Sequence, residues 1–274
     1  MENKDSSGTS DADAKKMLFM FASTWPDAIK PIGSYALTNP DSTSQPKSKY
    51  VATGGDIAAN DPNAKVNMGY QDDDVHKYWH FVDCPFSTDT TALPPIPTPN
   101  ALERIILFRS VLKSNAADDL KSYDLVWLIH LVGDVHQPLH CTTRFSAALP
   151  KGDAGGNEEA VAGGFAKSHG DHLHTYWDRI LGLDAGKNLF GRIGNTVSSL
   201  PITNPTKAND THVKDWVGDS FQIAKSFVYP NLTSESDGTM IISKTYEDQA
   251  LVIAKQQAAL AGARLAKLIN DNLR

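Results

Sequence analysis

Residues 123–137 read YDLVWLIHLVGDVHQ, and Pro138-Leu139-His140 follow directly. The stretch is apolar around nearly its whole circumference, yet falls short of the ~18–20 residues that a bilayer demands. It predicts a helix buried at the centre of a helical fold. Pro138 halts it, because proline lacks the N–H of the next helical hydrogen bond and clashes with the preceding turn. Two polar side chains interrupt the apolar run. His130 and Asp134 stand four residues apart, so a helix sets them on one face about one turn from each other. An isolated pair with this spacing is commonly an ion pair or hydrogen bond. Buried among Leu, Val, Trp and Ile without partners, the two would cost on the order of several kcal/mol, and a bound cation satisfies both.

Outward from this segment the pattern stays helical. Residues 101–114, ALERIILFRSVLKS, carry apolar side chains at helical spacing, with Asn100 placed as an N-cap. Helices are also predicted over 174–181, over 212–229 and over 246–270, the last rich in Ala, Leu, Gln and Lys. Residues 35–74, 86–99 and 146–170 are rich in Gly, Pro, Asn, Asp or Ala and are expected to be loops. No linker divides two hydrophobic halves. The fold class is therefore all-α: one mainly helical domain, 17–274, with long irregular loops. Residues 1–16, MENKDSSGTSDADAKK, are polar and expected to be disordered. The following MLFMFA is shorter than a signal-peptide core and is expected to form a turn or two of core helix, so the chain as written carries no export signal.

Composition narrows the function. The chain has 274 residues, 41% of them hydrophobic, which suffices for a substantial core. Lys and Arg number 26 against 32 Asp and Glu, a formal charge of −6, so a broad basic surface for gripping a duplex is excluded. Any anion site is local or supplied by metal. No apolar run is long enough to span a membrane. Two cysteines, Cys84 and Cys141, exclude a disulfide scaffold and a thiolate metal set.

The nine histidines cluster. His174 and Asp178 repeat the four-residue spacing of His130 and Asp134, His140 lies just past the first helix, His80 sits in WHFVD, and Asp27 in WPD. Imidazole and carboxylate together suit zinc. There is no His-Glu-x-x-His, so a zincin protease has no support. Several His and Asp gathered from distant segments fit a multinuclear hydrolytic site, which clamps both the attacking and the leaving oxygen of a phosphoester.

Taken together, LIHLVGDVHQPLH at 128–140, GGN at 155–157, HLHTYWD at 172–178 and WHFVD at 79–83 resemble the zinc-dependent single-strand-specific nucleases of the S-one/P-one nuclease family. The match runs in order from about Phe21 to Asp178. The resemblance implies a mainly helical fold of the phospholipase C/P-one nuclease type and three zinc ions in a cleft. Carried over residue by residue, it implies a first zinc held by Asp27, His80, His130 and Asp134, and a second held by His140, His174 and Asp178. In the family the carboxylate matching Asp134 also bridges to a third zinc, whose other ligands are a mature N-terminal Trp and a His five residues later. Residues 1–16 contain neither Trp nor His, so this sequence supports two of the three sites. The implied reaction is endonucleolytic hydrolysis of single-stranded DNA and RNA to 5′-phosphate products, with 3′-nucleotidase activity.

Further roles follow from the resemblance. Asp83 matches a carboxylate that orients the attacking water, Lys30 stands where fungal relatives carry Arg, and Asn157 matches a residue beside the zinc cluster. The exported relatives imply a secreted or periplasmic protein, here expected to be a monomer. His136, six residues after His130, is expected to lie off the metal face, either supporting a ligand by hydrogen bonding or serving the structure. Two other readings stay open: a zinc phospholipase C-type phosphodiesterase, and a zinc-binding relic impaired by the missing third-metal ligands.

Overall fold

The computed structural model describes residues 11–28, 77–182 and 189–273. Within them the chain runs through α1 (Asp11–Ala28), a 3-10 turn (Lys77–His80), β1 (Pro85–Ser87), α2 (Ala101–Leu112), α3 (Asp118–Asp134) and a second 3-10 turn (Pro138–Cys141). It continues through β2 (Thr143–Phe145), β3 (Ala160–Gly163), β4 (Ala166–His172), α4 (Leu173–Arg179), α5 (Leu189–Ser198) and α6 (Pro205–Asn209). Helix α7 (Val213–Ile223) passes into a π turn (Ala224–Val228), followed by β5 (Thr233–Ser234), β6 (Met240–Ile242) and the long α8 (Lys244–Asn272). The mainly helical class expected from the sequence is what the structure has.

Helix α3 is the predicted central helix. Asp118 and Asp119 lie in its first turn, where carboxylates favour the positive end of the helix dipole. Every residue from Trp127 to Val132 is buried, because α1, α2 and α8 pack around it. Helix α2 starts where Asn100 caps it, its side chain accepting from the Glu103 N–H at 3.3 Å. Two apolar clusters result. Trp79, Ile105, Phe108, Trp127, Leu131, Trp216 and Cys141 belong to the first. Leu139, Leu173, Tyr176, Trp177, Val228 and Tyr246 belong to the second. The turn Pro138–Cys141 straddles the two: Leu139 is anchored in one cluster and Cys141 in the other, and His140 is held between them.

The structure departs from the sequence reading in places. Residues 11–16, expected to be disordered, begin α1; an acidic first turn followed by Ala and Lys favours a helix, and Lys16 pairs with Asp13 at 3.6 Å. Residues 1–10 lie outside the described residues. The expected loop over 146–170 contains the antiparallel β3–β4 hairpin, whose sheet has the strand order β4-β3-β6-β5. The expected loop over 86–99 holds most of β1, paired in parallel with β2. These strands are two to seven residues long, and β1–β2 and β3–β6 pair across distant segments, Val161 opposite Met240 for example, so no local period announces them. Helices α5 and α6 are likewise additions to the helices expected from the sequence. Both cysteines are free thiols. No helix among the described residues is long and apolar enough to cross a membrane.

Candidate metal centre

Four elements converge on α3 at its C-terminal end. Helix α1 brings Asp27, the first 3-10 turn brings His80, α3 itself brings His130 and Asp134, the second 3-10 turn brings His140, and α4 brings His174 and Asp178. The first group is tight. Asp27 Oδ1 lies 3.7 Å from His80 Nδ1 and 3.5 Å from His130 Nε2. Asp134 Oδ2 lies 3.1 Å from each of those nitrogens, which are themselves 2.8 Å apart. A tetrahedral ion with bonds of about 2.0–2.2 Å spaces its ligand atoms about 3.3–3.6 Å apart. The observed edges bracket that range.

The second group is equally close. His140 Nε2 lies 3.2 Å from His174 Nε2 and 3.3 Å from Asp178 Oδ1, and His174 Nε2 lies 3.6 Å from Asp178 Oδ2. All seven residues that the resemblance implied as ligands are thus gathered into two adjoining groups.

The backbone decides which nitrogens face inward. His130 Nδ1 lies 2.6 Å from the Ser23 carbonyl, His140 Nδ1 2.8 Å from the His80 carbonyl, and His174 Nδ1 2.8 Å from the Gly155 carbonyl. A carbonyl only accepts, so each Nδ1 donates its proton and each Nε2 presents a lone pair to the centre. With both rings neutral, His140 and His174 would aim two lone pairs at each other across 3.2 Å, a repulsion that a proton on one ring or a metal ion between them relieves. A ligating imidazole is held in just this way, its outer N–H on a carbonyl. The residues present fit a zinc ion in each group.

Protonation tells the same story for the metal-free chain. Burial disfavours charge on His130, yet the Asp134 carboxylate beside it, with Asp27, pushes its pKa up to about 10. His140 is likewise disfavoured by burial and raised to about 9 by Asp134 and Asp178. Burial and the charge of His140 push His174 down. Asp134, despite burial, is held well below the usual carboxylate range by His130 and His140. Each group therefore takes up a proton where a metal is absent: the sites demand positive charge.

Both groups line one cleft of about 820 Å³. Its described lining includes the carboxylates Asp27, Asp83, Asp134, Glu158 and Asp178, and no Lys or Arg. Asp83 is in place on the cleft wall, outside both groups; Thr143 Oγ1 donates to its Oδ1 at 2.7 Å, and burial raises its pKa. Asn157 also lines the cleft, with its amide N–H directed to Ala154 O at 2.8 Å. Lys30 lies outside the described residues. Gly155 shows why glycine stands in the 155–157 loop: its φ is +63°, and a Cβ there would come within 2.5 Å of Leu139 O.

The sequence reading missed some neighbours. Among the described residues Phe81 also lines the cleft, which its place in WHFVD does not announce. Gln137 contacts Asp178, and Ser23 orients His130. His136 does lie away from the metal face, but its ring meets Val132 O at 2.7 Å and Arg264 at 2.9 Å, not a ligand. A further grouping, Asp210, His212 and Asp215, is an exposed helix start in which Asp210 already engages His212 and Arg264. The four tryptophans near the ligands are packing: Trp79, Trp127 and Trp177 are buried, and Trp25 stacks edge-on against Trp127 at 6.2 Å.

Comparison with known proteins points to a nuclease family. Endonuclease 4 of Arabidopsis thaliana is 26% identical over 175 residues, covering 57% of this chain and 54% of that protein. The chain thus spans about half the length of that curated relative. The model of the family described as S1/P1 Nuclease matches residues 2–274, nearly the whole chain. On that match, the chain belongs to the S1/P1 nuclease family.

Proposed function

We propose that this protein is a zinc-dependent endonuclease that hydrolyses phosphodiester bonds of single-stranded DNA and RNA, leaves 5′-phosphates, and removes the phosphate of 3′-nucleotides. The observation that carries the reading is the pairing of two inward-facing His/Asp groups with a cleft walled by carboxylates. Such a cleft repels a phosphodiester until dications fill it. When bound, zinc supplies Lewis acidity, neutralising phosphate oxygens and drawing the pKa of water towards neutrality.

The chain's own residues do the rest. Asp27, His80, His130 and Asp134 would hold a first zinc, and His140, His174 and Asp178 a second. Asp83, on the cleft lining with one oxygen held by Thr143, orients the attacking water and takes its proton. Its raised pKa strengthens it as a base. Phe81 gives an unpaired base a face to stack on, and a base held in a duplex cannot reach it. Asn157, a residue of the cleft lining, is assigned contact with a phosphate oxygen. Lys30, three residues after Asp27, adds a cation that offsets the charge developing on the phosphate. The protein acts as a monomer and is secreted or periplasmic, in keeping with exported relatives.

The test is hydrolysis of single-stranded and duplex DNA, RNA and a 3′-nucleotide by zinc-loaded protein, with phosphatidylcholine as a parallel substrate. Cleavage of single strands to 5′-phosphates supports the reading. Turnover of phosphatidylcholine alone would make the protein a phospholipase C-type enzyme. Zinc bound in both groups with no turnover of any substrate would make it an impaired zinc-binding relative.

A further inference from the structure

Gln137 sits between the two elements that make the second group. Its amide Nε2 donates to Asp178 Oδ1 at 2.9 Å, and its Oε1 accepts from the Leu139 N–H at 2.6 Å. The second bond caps the turn Pro138–Cys141, which carries His140. The first reaches α4, which carries Asp178 and is only seven residues long. One planar amide therefore ties the placement of His140 to that of Asp178, residues far apart in the chain. Asp178 needs such a tie. Its side chain is 43% exposed, whereas the ring of His174 on the same helix is fixed by Gly155 O.

We propose that Gln137 is a positioning residue of the second zinc site: it orients the Asp178 carboxylate towards His140 and His174 and so sets the affinity of that site alone. This rests on the two-zinc reading above. The donor is the decisive half. Glu at this position keeps an acceptor for Leu139 N–H but sets a carboxylate oxygen against Asp178, so Gln137→Glu tests the hydrogen bond with almost no change of shape. Gln137→Leu removes both bonds and checks that the effect is not a new Glu–metal contact.

The experiment is competition titration of the full chain with Zn²⁺ against a chromogenic chelator, repeated with Co²⁺ and its absorption spectrum, alongside circular dichroism to confirm folding. The wild type is expected to bind two ions. Both variants are expected to lose about ten- to a hundredfold in affinity at one site, with the other unchanged. Two ions bound at wild-type affinity by both variants would overturn the role of Gln137 and leave the two-zinc reading standing. Equal weakening of both sites would also overturn it, since it would show a general loss of structure. Failure of the wild type itself to bind zinc would overturn the two-zinc reading, and the inference with it.

Discussion

The carboxyl of Asp124 couples stability to pH. It lies on α3, is 0% exposed, and neither of its oxygens has a hydrogen-bond partner among the described residues. Burial pushes its pKa from 3.8 up to about 8, against a smaller opposing pull from the Arg104 charge. Because the folded value lies above the unfolded one, the fold prefers the protonated acid. The stabilisation is fully present below about pH 4, shrinks as the pH rises, and is gone above about pH 8. At ~1.4 kcal/mol per unit, the whole change is on the order of 5 kcal/mol. Asp124→Asn keeps the shape and stays neutral at every pH. Urea unfolding of wild type and variant in parallel, with the same zinc supplied to both, cancels the other titrations. The advantage of the variant is expected to grow by about 3–4 kcal/mol between pH 5 and pH 8. A difference between the two proteins that stays constant within ~1 kcal/mol across that range would refute the reasoning, because it would mean that the carboxylate is charged and well paired.

Two more substitutions bear on the site and a third on the fold. Gly155→Ala places a Cβ against Leu139 O at a φ of +63°, on the loop whose carbonyl orients His174; a loss of about 1–3 kcal/mol and weaker zinc binding in the second group are expected, and an unchanged melting temperature would contradict this. Asp83→Asn should lower kcat by about 10²–10⁴ while both zinc ions remain, since Asp83 belongs to neither group; metal analysis beside single-turnover kinetics distinguishes the two effects. Arg264 is 2% exposed, lies 5.3 Å from the Trp216 ring, bonds His136 and Lys207 O, and faces Asp210 and Asp219. Its replacement by Leu should cost about 2–4 kcal/mol in denaturant unfolding, less than a fully buried pair because both carboxylates keep some contact with solvent.

Much of the site is legible in the chain itself. The i, i+4 pairs His130/Asp134 and His174/Asp178 declare themselves because helical spacing is local and an apolar surround makes polar residues conspicuous. The same holds for α3 and α8, whose length and composition suffice to predict a helix. The short strands, by contrast, announce no period of their own: most of β1 and all of β3 lie inside segments that read as loops and pair with β2 and β6 far along the chain, and β4 gains its place only by pairing with β3. Residues 11–16 mislead for a different reason: a polar composition says little about whether a neighbouring helix will extend through it.

What the sequence determined by itself, then, is the two His/Asp pairs and the central buried helix, since residue type and spacing along one helix are properties of the chain alone, and the resemblance added Asp27, His80 and His140 to them. Only the tertiary structure decided that these seven side chains lie close together, which nitrogen of three of the four candidate imidazoles faces the centre, and that Gln137 spans both halves of the second group. Each of these depends on a carbonyl or carboxylate delivered from a remote segment, and the direction of a hydrogen bond exists only once its donor and acceptor have been brought together.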